Sequence, residues 1–404
     1  TKSFTAMAVL KLRDEGKLRL DDPVEQYIPE MKGQGLTPDD ALITIRDLLV
    51  HSGGLPTDDP WADRLLDQRE EDLFSLLKKR ITFSNSPGTA FEYSNLGYTL
   101  LGSLIGKVSG VNYQEYIQQT ICNPLKMQSF WDYTDISKDM LARGYSLKNA
   151  KVEEEPLLRD GIFGAMGGFI TSIESFGRYL AFHQSAYSGL KFEVIKKSSL
   201  REMHQPLRFI KLENGLKFAD GASYSIVHTY GYGLKCLKDS LGRTFIGHRG
   251  GLPGFGSSWF FLPEYGLGIA SFANLTYADT YKIDLEIINT LLHDLKIQPK
   301  REAPSVNLTK AQKNILSLLP EWKEVPEGIF AINFFLDRGL NTLKKESIEL
   351  FQKAGRIIAI EDILAENQLR GSFVLKGEKT NLLIHLALTP ENPSRIQHYQ
   401  IKEL

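Results

Sequence analysis

The sequence predicts an α+β fold: an antiparallel sheet flanked by helices and joined to a helical lobe, with a small mostly-β domain at the C-terminal end. Three observations lead to this prediction. Apolar residues at helical spacing dominate residues 44–122. Short strand-like runs follow residue 224. A polar stretch with two prolines at residues 298–307 has the character of a linker.

The first predicted element is a buried helix from Thr1 to Glu15. Its apolar run would cover most of the helix circumference, and Gly16 is a typical residue just past a helix end. The later predicted helices, separated by connections rich in Gly, Pro and Asp, span residues 44–50, 61–80, 96–109, 113–122 and 172–183. Together these elements form the predicted helical lobe.

An antiparallel meander is predicted after the lobe. Its strands are separated by turn residues and span residues 230–237, 244–248, 258–262 and 267–274. One face of the helix that follows carries four leucine or isoleucine residues and would cover the sheet: Leu285, Ile288, Leu292 and Leu295. Loops are expected to shape a cleft at residues 56–63, 144–161 and 207–224.

Chain length favours two domains, because 404 residues exceed the size at which a single core usually stops growing. We therefore divide the chain into a main domain at residues 1–297, a linker at 298–307 and a β-rich accessory domain at 308–404. The formal net charge of -1 gives no electrostatic argument for binding nucleic acid. No apolar run reaches the length of a membrane-spanning helix.

The two cysteines, Cys122 and Cys236, lie far apart in sequence and form no metal-binding pattern. We interpret them as small buried hydrophobic residues. No other pattern in the sequence indicates a cofactor or a metal ion.

Three short motifs carry the candidate catalytic side chains. They occur along the chain in the order Thr1-Lys2, then Tyr93-Ser94-Asn95, then His248-Arg249-Gly250-Gly251. With this set the chain resembles the serine β-lactamase and penicillin-binding-protein-like hydrolases, and above all their branch of class C β-lactamases, D-aminopeptidases and esterases. The resemblance covers residues 1–297 and extends to flanking segments at residues 51–56, 123–127, 166–169 and 232–234. It implies a β-lactamase/transpeptidase-like fold.

The resemblance also implies a nucleophilic serine three residues before Lys2, two positions ahead of Thr1. Positions three apart share one helix face, so this hydroxyl would lie near the Lys2 amine. An apolar, partly desolvated site favours the neutral form of a lysine, which can then accept the hydroxyl proton. The 404 residues are therefore expected to contain the base without its nucleophile, and to be inactive alone.

Two more roles follow from the resemblance to this family. Tyr93 would be the second proton carrier, between the nucleophile and the leaving group. Asn95 would bind the acyl side-chain amide of the substrate and help to position Lys2. Each residue also has a plainer interpretation: Tyr93 as a half-buried aromatic before a helix, and either Ser94 or Asn95 as the N-cap of that helix.

The strand motif has a histidine where the better-known family motif has lysine. A histidine at this place is common in the esterase and peptidase branches. By resemblance, His248 therefore weakens the β-lactamase assignment in particular. Gly250 and Gly251 would leave room for substrate beside the strand, and the Gly251 N–H is a candidate oxyanion donor together with that of the missing serine. His51, which lies beside Gly53 near a helix end, is assigned to structure.

The predicted function is a serine hydrolase that forms an acyl-serine intermediate on a small amide or ester, as peptidases, esterases and β-lactamases do. Two alternatives stay open: a non-catalytic ligand- or cell-wall-binding protein on the same fold, and a hydrolase that uses Thr1 as an N-terminal nucleophile. Ser75 and Lys78 have the same Ser-x-x-Lys spacing, but the dense charge around them predicts a solvated helix, so we reject this pair. The resemblance to this family implies a periplasmic, envelope-associated or secreted protein with a small-molecule or peptide substrate.

Overall fold

Two units of unequal size make up the computed structural model, which describes residues 1–218 and 221–404. The larger unit is Thr1–Gln298 and the smaller is Pro299–Leu404. The helices of the larger unit are α1 Lys2–Asp14, α2 Ile45–Leu49, α3 Asp59–Ala62, α4 Glu70–Lys78, α5 Asn95–Ser109, α6 Tyr113–Ile117, α7 Gly164–Gly167, α8 Ile173–Gln184, α9 Lys197–Met203 and α10 Thr280–Asp294.

The predicted first helix is confirmed, and it lies at the centre of the larger unit. Every residue of α1 from Lys2 to Leu10 is buried. The helix ends before Gly16, which adopts a positive φ of 75°. Burial on all sides explains why its sequence has no polar stripe.

The prediction of one continuous helix at residues 61–80 is wrong. The structure has two helices there, α3 and α4, with turns between them. The backbone carbonyl of Gln68 accepts a hydrogen bond from the Ile162 N–H at 2.7 Å, so a segment distant in sequence holds this turn in place. The other predicted helices of the lobe match observed ones, although residues 118–122 continue α6 as a π-helical turn.

A six-stranded antiparallel sheet forms the second half of the larger unit, in the order β10-β9-β8-β7-β6-β5. Two short pairs, β1 with β4 and β2 with β3, lie outside it. The strands are β1 Ser129–Phe130, β2 Tyr145–Lys148, β3 Lys151–Glu154, β4 Ile170–Thr171, β5 Arg208–Lys217, β6 Ser223–Tyr230, β7 Lys235–Asp239, β8 Thr244–Leu252, β9 Phe255–Leu262 and β10 Leu267–Ala273. Each strand of the large sheet pairs with its neighbour in sequence, which confirms the predicted meander.

Two predictions about this sheet are wrong. Residues 230–237 are not one strand, because the chain turns between β6 and β7 through Gly233, whose φ is 67°. The predicted loop at residues 207–224 contains β5 and the first residues of β6, while Ala219 and Asp220 lie outside the described residues. Register shifts interrupt the β5 pairing, and such bulges break the alternating pattern by which a strand is recognised.

The sheet has a hydrophobic core on each face. On one face α10 packs Leu285, Ile288 and Leu292 against the sheet, as predicted. Leu295, predicted on the same face, follows the end of the helix and is 64% exposed. On the other face the strands pack against the helical lobe around α1.

The smaller unit contains a five-stranded sheet and three helices. The sheet order is β11-β13-β14-β15, with β12 also paired to β13. The elements are α11 Val306–Leu318, α12 Phe334–Asp337, α13 Leu340–Ala354, β11 Ile357–Ile360, β12 Leu364–Asn367, β13 Arg370–Gly377, β14 Leu382–Leu388 and β15 Ile396–Glu403. The sequence prediction missed α11 and α13, although Leu343, Leu350 and Phe351 of α13 contact one core at helical spacing. Within the described residues, no helix combines the length and the apolar character that crossing a membrane requires.

Candidate active site

Lys2 and Asn95 meet where the N-terminal ends of α1 and α5 come together. The Lys2 Nζ donates hydrogen bonds to Asn95 Oδ1 at 2.5 Å and to the Met166 carbonyl at 3.0 Å. Lys2 is only 4% exposed. Lys2 is therefore not a solvated residue, because both of these partners hold its amine inside the fold.

The environment of Lys2 favours loss of its proton. Burial lowers the pKa of Lys2 from 10.5 to about 8, although the charges of Asp59, Asp63 and Asp58 act in the opposite direction. A lysine with this pKa is neutral in a useful fraction of molecules close to neutral pH. It can then accept a proton from a neighbouring hydroxyl.

Tyr93 lies directly against the amine of Lys2. The Lys2 Nζ is 4.7 Å from the centroid of the Tyr93 ring and 5.5 Å from that of Tyr98, which is within the range of cation–π contacts. Burial, followed by the charge of Asp59, raises the pKa of Tyr93 well above 10. The phenol therefore keeps its proton and is available as a hydrogen-bond donor.

His248 lies on β8 beside Tyr93, with 6.1 Å between the ring centroids. Its Nδ1 is 2.5 Å from the Arg249 carbonyl, which can only accept, so we assign the ring proton to Nδ1. The Tyr230 hydroxyl then donates to Nε2 at 2.9 Å. Burial, followed by the charges of Lys235 and Lys2, lowers the pKa of His248 well below 6.5, so the imidazole is neutral.

Gly250 and Gly251 follow His248 on β8, but the space beside Gly251 is filled. A Cβ atom on Gly251 would lie 2.4 Å from Cδ1 of Tyr277, and one on Gly250 would lie 2.8 Å from Ser257 Oγ. The Tyr277 hydroxyl donates to Asp63 at 2.8 Å. The Tyr277 ring thus occupies the space that a side chain at position 251 would need. The role of Gly250 and Gly251 in binding substrate stays a prediction.

Sequence reasoning missed the part that Asp58 and Asp59 play in the predicted loop at residues 56–63. Asp58 accepts hydrogen bonds from the backbone N–H groups of Asn95 at 2.7 Å and Leu96 at 2.9 Å, so it caps α5. Asp59 accepts from the Asn95 Nδ2 at 2.7 Å. Both ends of the Asn95 amide therefore have one partner each, and each end has the capacity for one further hydrogen bond. The sequence signal that could have indicated this role is the pair of adjacent aspartates that follows the Gly-Gly-Leu-Pro segment at residues 53–56.

We expect Asp59→Asn to lower the pKa of Lys2 by about one unit, because it removes the carboxylate charge that most favours the ammonium form. The measurement is NMR titration of ¹³Cε-labelled lysine, with Lys2 assigned by Lys2→Met. The control is Asp135→Asn, which changes an exposed acid elsewhere in the same unit. An unchanged or higher Lys2 pKa in Asp59→Asn would contradict this account.

The remaining candidates have simpler environments. Ser75 and Lys78 are both exposed on α4, as expected for a solvated helix. The Thr1 Oγ1 accepts a hydrogen bond from the Phe169 N–H at 3.1 Å. In the part of the chain that the structure describes, no three His, Cys, Asp or Glu side chains are grouped to hold a metal ion, and both cysteines are buried free thiols.

Comparison with known proteins finds relatives along most of the larger unit. A family model described as Beta-lactamase matches residues 1–291. Beta-lactamase-like protein 2 of Dictyostelium discoideum is 31% identical over 216 residues, covering 52% of this chain and 38% of that protein. Protein flp of Staphylococcus aureus (strain NCTC 8325 / PS 47) is 28% identical over 328 residues, covering 79% of this chain and 60% of that protein. The chain thus spans less than two thirds of each relative's length.

Solved structures share the fold. The octameric penicillin-binding protein homologue from Pyrococcus abyssi has a TM-score of 0.59 and 24% identity, over 96% of this chain and 77% of that one. A D-stereospecific amidohydrolase from Streptomyces sp. has a TM-score of 0.57 and 27% identity, over 72% and 85%. A class C beta-lactamase has a TM-score of 0.54 and 22% identity, over 72% and 80%. These matches confirm the predicted fold class.

Proposed function

We propose, because the chain belongs to the beta-lactamase family, that the protein is a serine hydrolase that forms an acyl-serine intermediate on a small amide or ester. The observation that carries this proposal is the buried Lys2 amine, which contacts Asn95 at 2.5 Å and the Tyr93 ring at 4.7 Å and has a pKa lowered to about 8. A lysine with a purely structural role does not require a lowered pKa, whereas a general base does.

The nucleophile in this proposal is a serine two positions before Thr1, on the helix face that Lys2 shares. Neutral Lys2 takes the proton from the serine hydroxyl while the oxygen attacks the substrate carbonyl carbon. The carbonyl oxygen becomes an oxyanion, for which the Gly251 N–H and that of the serine are the donors. Lys2 returns this proton through Tyr93 to the leaving amine or alcohol as the bond to it breaks, which yields the acyl-serine and leaves Lys2 neutral again.

Water completes the cycle by the reverse path. It attacks the acyl carbonyl, loses a proton through Tyr93 and Lys2, and releases the acid while the serine regains its proton. His248, which is hydrogen-bonded to Tyr230 and to the Arg249 carbonyl, is neutral and therefore adds no charge beside β8. This environment suits an uncharged ester or amide.

The test is covalent labelling of the protein expressed with the residues that precede Thr1. A fluorophosphonate is expected to add to the serine two positions before Thr1, as located by mass spectrometry, and to fail with the matched serine-to-alanine variant. The 404-residue chain, as the second control, should take up no label. An adduct on Thr1 would favour the N-terminal nucleophile, and a protein that stays unlabelled yet binds a β-lactam or D-amino-acid peptide tightly would favour the non-catalytic alternative.

A further inference from the structure

We propose that His51 is a positioning residue that holds Tyr93 against Lys2, an inference that rests on the proposed function of this site. His51 follows α2, more than forty residues before Tyr93 in the sequence. It is only 3% exposed. Nothing in its sequence context assigns it more than a structural part, so the argument depends on its contacts.

His51 binds the backbone on both sides of Tyr93. Its carbonyl accepts a hydrogen bond from the Glu92 N–H at 2.8 Å, and its Nδ1 accepts one from the Ser94 N–H at 3.1 Å. Its ring lies 4.4 Å from the Tyr93 ring, centroid to centroid. One residue thus binds the Phe91–Glu92 and Tyr93–Ser94 peptide groups, one on each side of the Tyr93 Cα, and its ring also packs against the Tyr93 side chain.

The backbone at His51 is strained to make these contacts. Its φ is 57°, in the left-handed region that non-glycine residues seldom adopt. Such strain persists only where the surrounding structure determines it, and it is concentrated at functional sites. Glycines at positions 53 and 54 follow after Ser52, so the chain has freer positions close by at which to turn.

The protonation state of His51 is determined by the same contacts. Because Nδ1 accepts from an N–H, the ring proton is on Nε2. Nε2 has no hydrogen-bond partner among the described residues, and the rings of Tyr98 and Tyr230 lie 5.0 and 4.7 Å from that of His51. Burial, followed by the charges of Lys2 and Lys235, lowers the pKa of His51 well below 6.5 and so keeps Nδ1 free to accept.

Two substitutions separate the side-chain contact from the backbone strain. Asparagine tolerates a positive φ and can place its Oδ1 where Nδ1 now accepts from Ser94, whereas glycine tolerates this φ and offers no acceptor. In the protein with its upstream residues, we expect His51→Gly to lower kcat for p-nitrophenyl acetate about 10²-fold with little change in KM, because a displaced catalytic group loses that much. His51→Asn should stay close to wild type.

A second measurement keeps this test independent of hydrolysis. In the 404-residue chain, the ¹³Cζ resonance of Tyr93, assigned by Tyr93→Phe, is expected to shift in His51→Gly and to stay near its wild-type position in His51→Asn. Equal kcat values or equal Tyr93 shifts in the two variants would overturn the positioning role. A wild-type protein without activity would remove the proposed function, while the Tyr93 resonance would still decide the role of His51.

Discussion

In the protein with its upstream residues, replacing Lys2 with methionine should lower the rate of acylation about 10⁴-fold, the upper end of what a general base contributes, and should also stabilise the protein. At neutral pH the wild-type fold holds a charged lysine whose pKa is lowered from 10.5 to about 8. That shift corresponds to a cost of about 3 kcal/mol at 1.36 kcal/mol per unit. Losing the hydrogen bonds to Asn95 and to the Met166 carbonyl offsets about 2 kcal/mol. We therefore expect a gain of about 1 kcal/mol in the free energy of unfolding.

The pH dependence of this gain has a definite sign. Below the folded-state pKa of about 8, both the folded and the unfolded wild-type chains carry the Lys2 charge, so the full cost is present. As the pH rises above 8, the folded chain loses this proton first and the wild type gains stability relative to the variant. Urea denaturation at a series of pH values measures the difference.

The matched control for this prediction is Lys11→Met on the same helix. Lys11 donates to the Val194 carbonyl at 3.2 Å and lies 3.7 Å from Glu15, away from Asn95 and Tyr93. Its replacement should leave the acylation rate unchanged. A Lys2→Met variant that acylates normally, or that is less stable than wild type at neutral pH, would show that Lys2 is not the buried base described above.

Replacing Tyr93 with phenylalanine should lower turnover about 10³-fold, within the range of a lost proton-transfer group. The ring and its contact with the Lys2 amine remain, so binding and folding should change little. Because the pKa of Tyr93 is raised well above 10, the hydroxyl acts in its protonated form, and no limb of the wild-type pH profile below 10 should belong to it. Steady-state kinetics on p-nitrophenyl acetate for the protein with its upstream residues, with melting curves alongside, provide the measurement.

Tyr98→Phe is the control for this second substitution. The Tyr98 ring also lies near Lys2 Nζ, but its hydroxyl donates to the Leu49 carbonyl at 2.8 Å. Removing it should cost about 1 kcal/mol of stability without slowing turnover. If both phenylalanine variants lose activity to the same degree, the Tyr93 hydroxyl has no special part in proton transfer.

Local sequence patterns were sufficient for much of the fold. The α1 run, the end of that helix at Gly16 and the helix that follows Ser94 depend on neighbours within a few residues, and each was predictable. The break between β6 and β7 depends on the φ of Gly233, and β5 on bulges that disturb its alternation. Neither leaves a periodic signal in the sequence.

The candidate site divides in the same way. Lys2, Tyr93, Asn95 and His248 belong to short motifs, and the structure brings Lys2, Tyr93 and Asn95 into contact, with His248 beside Tyr93. The contacts of Asp59 with Asn95 and of His51 with Ser94 join positions that are far apart in sequence. A single sequence holds no record of such pairings, so they became visible only in the folded chain.

The position of Tyr277 over Gly251 affects the rate of ligand binding as well as the shape of the site. A molecule that fills the side of Gly251 on which a Cβ would lie needs the Tyr277 ring, and with it the hydrogen bond to Asp63, to move aside first. Its apparent affinity is then its intrinsic affinity scaled by the fraction of molecules in which the ring has already moved. Arrival of the ligand and departure of the ring are thereby separate steps, each with its own rate.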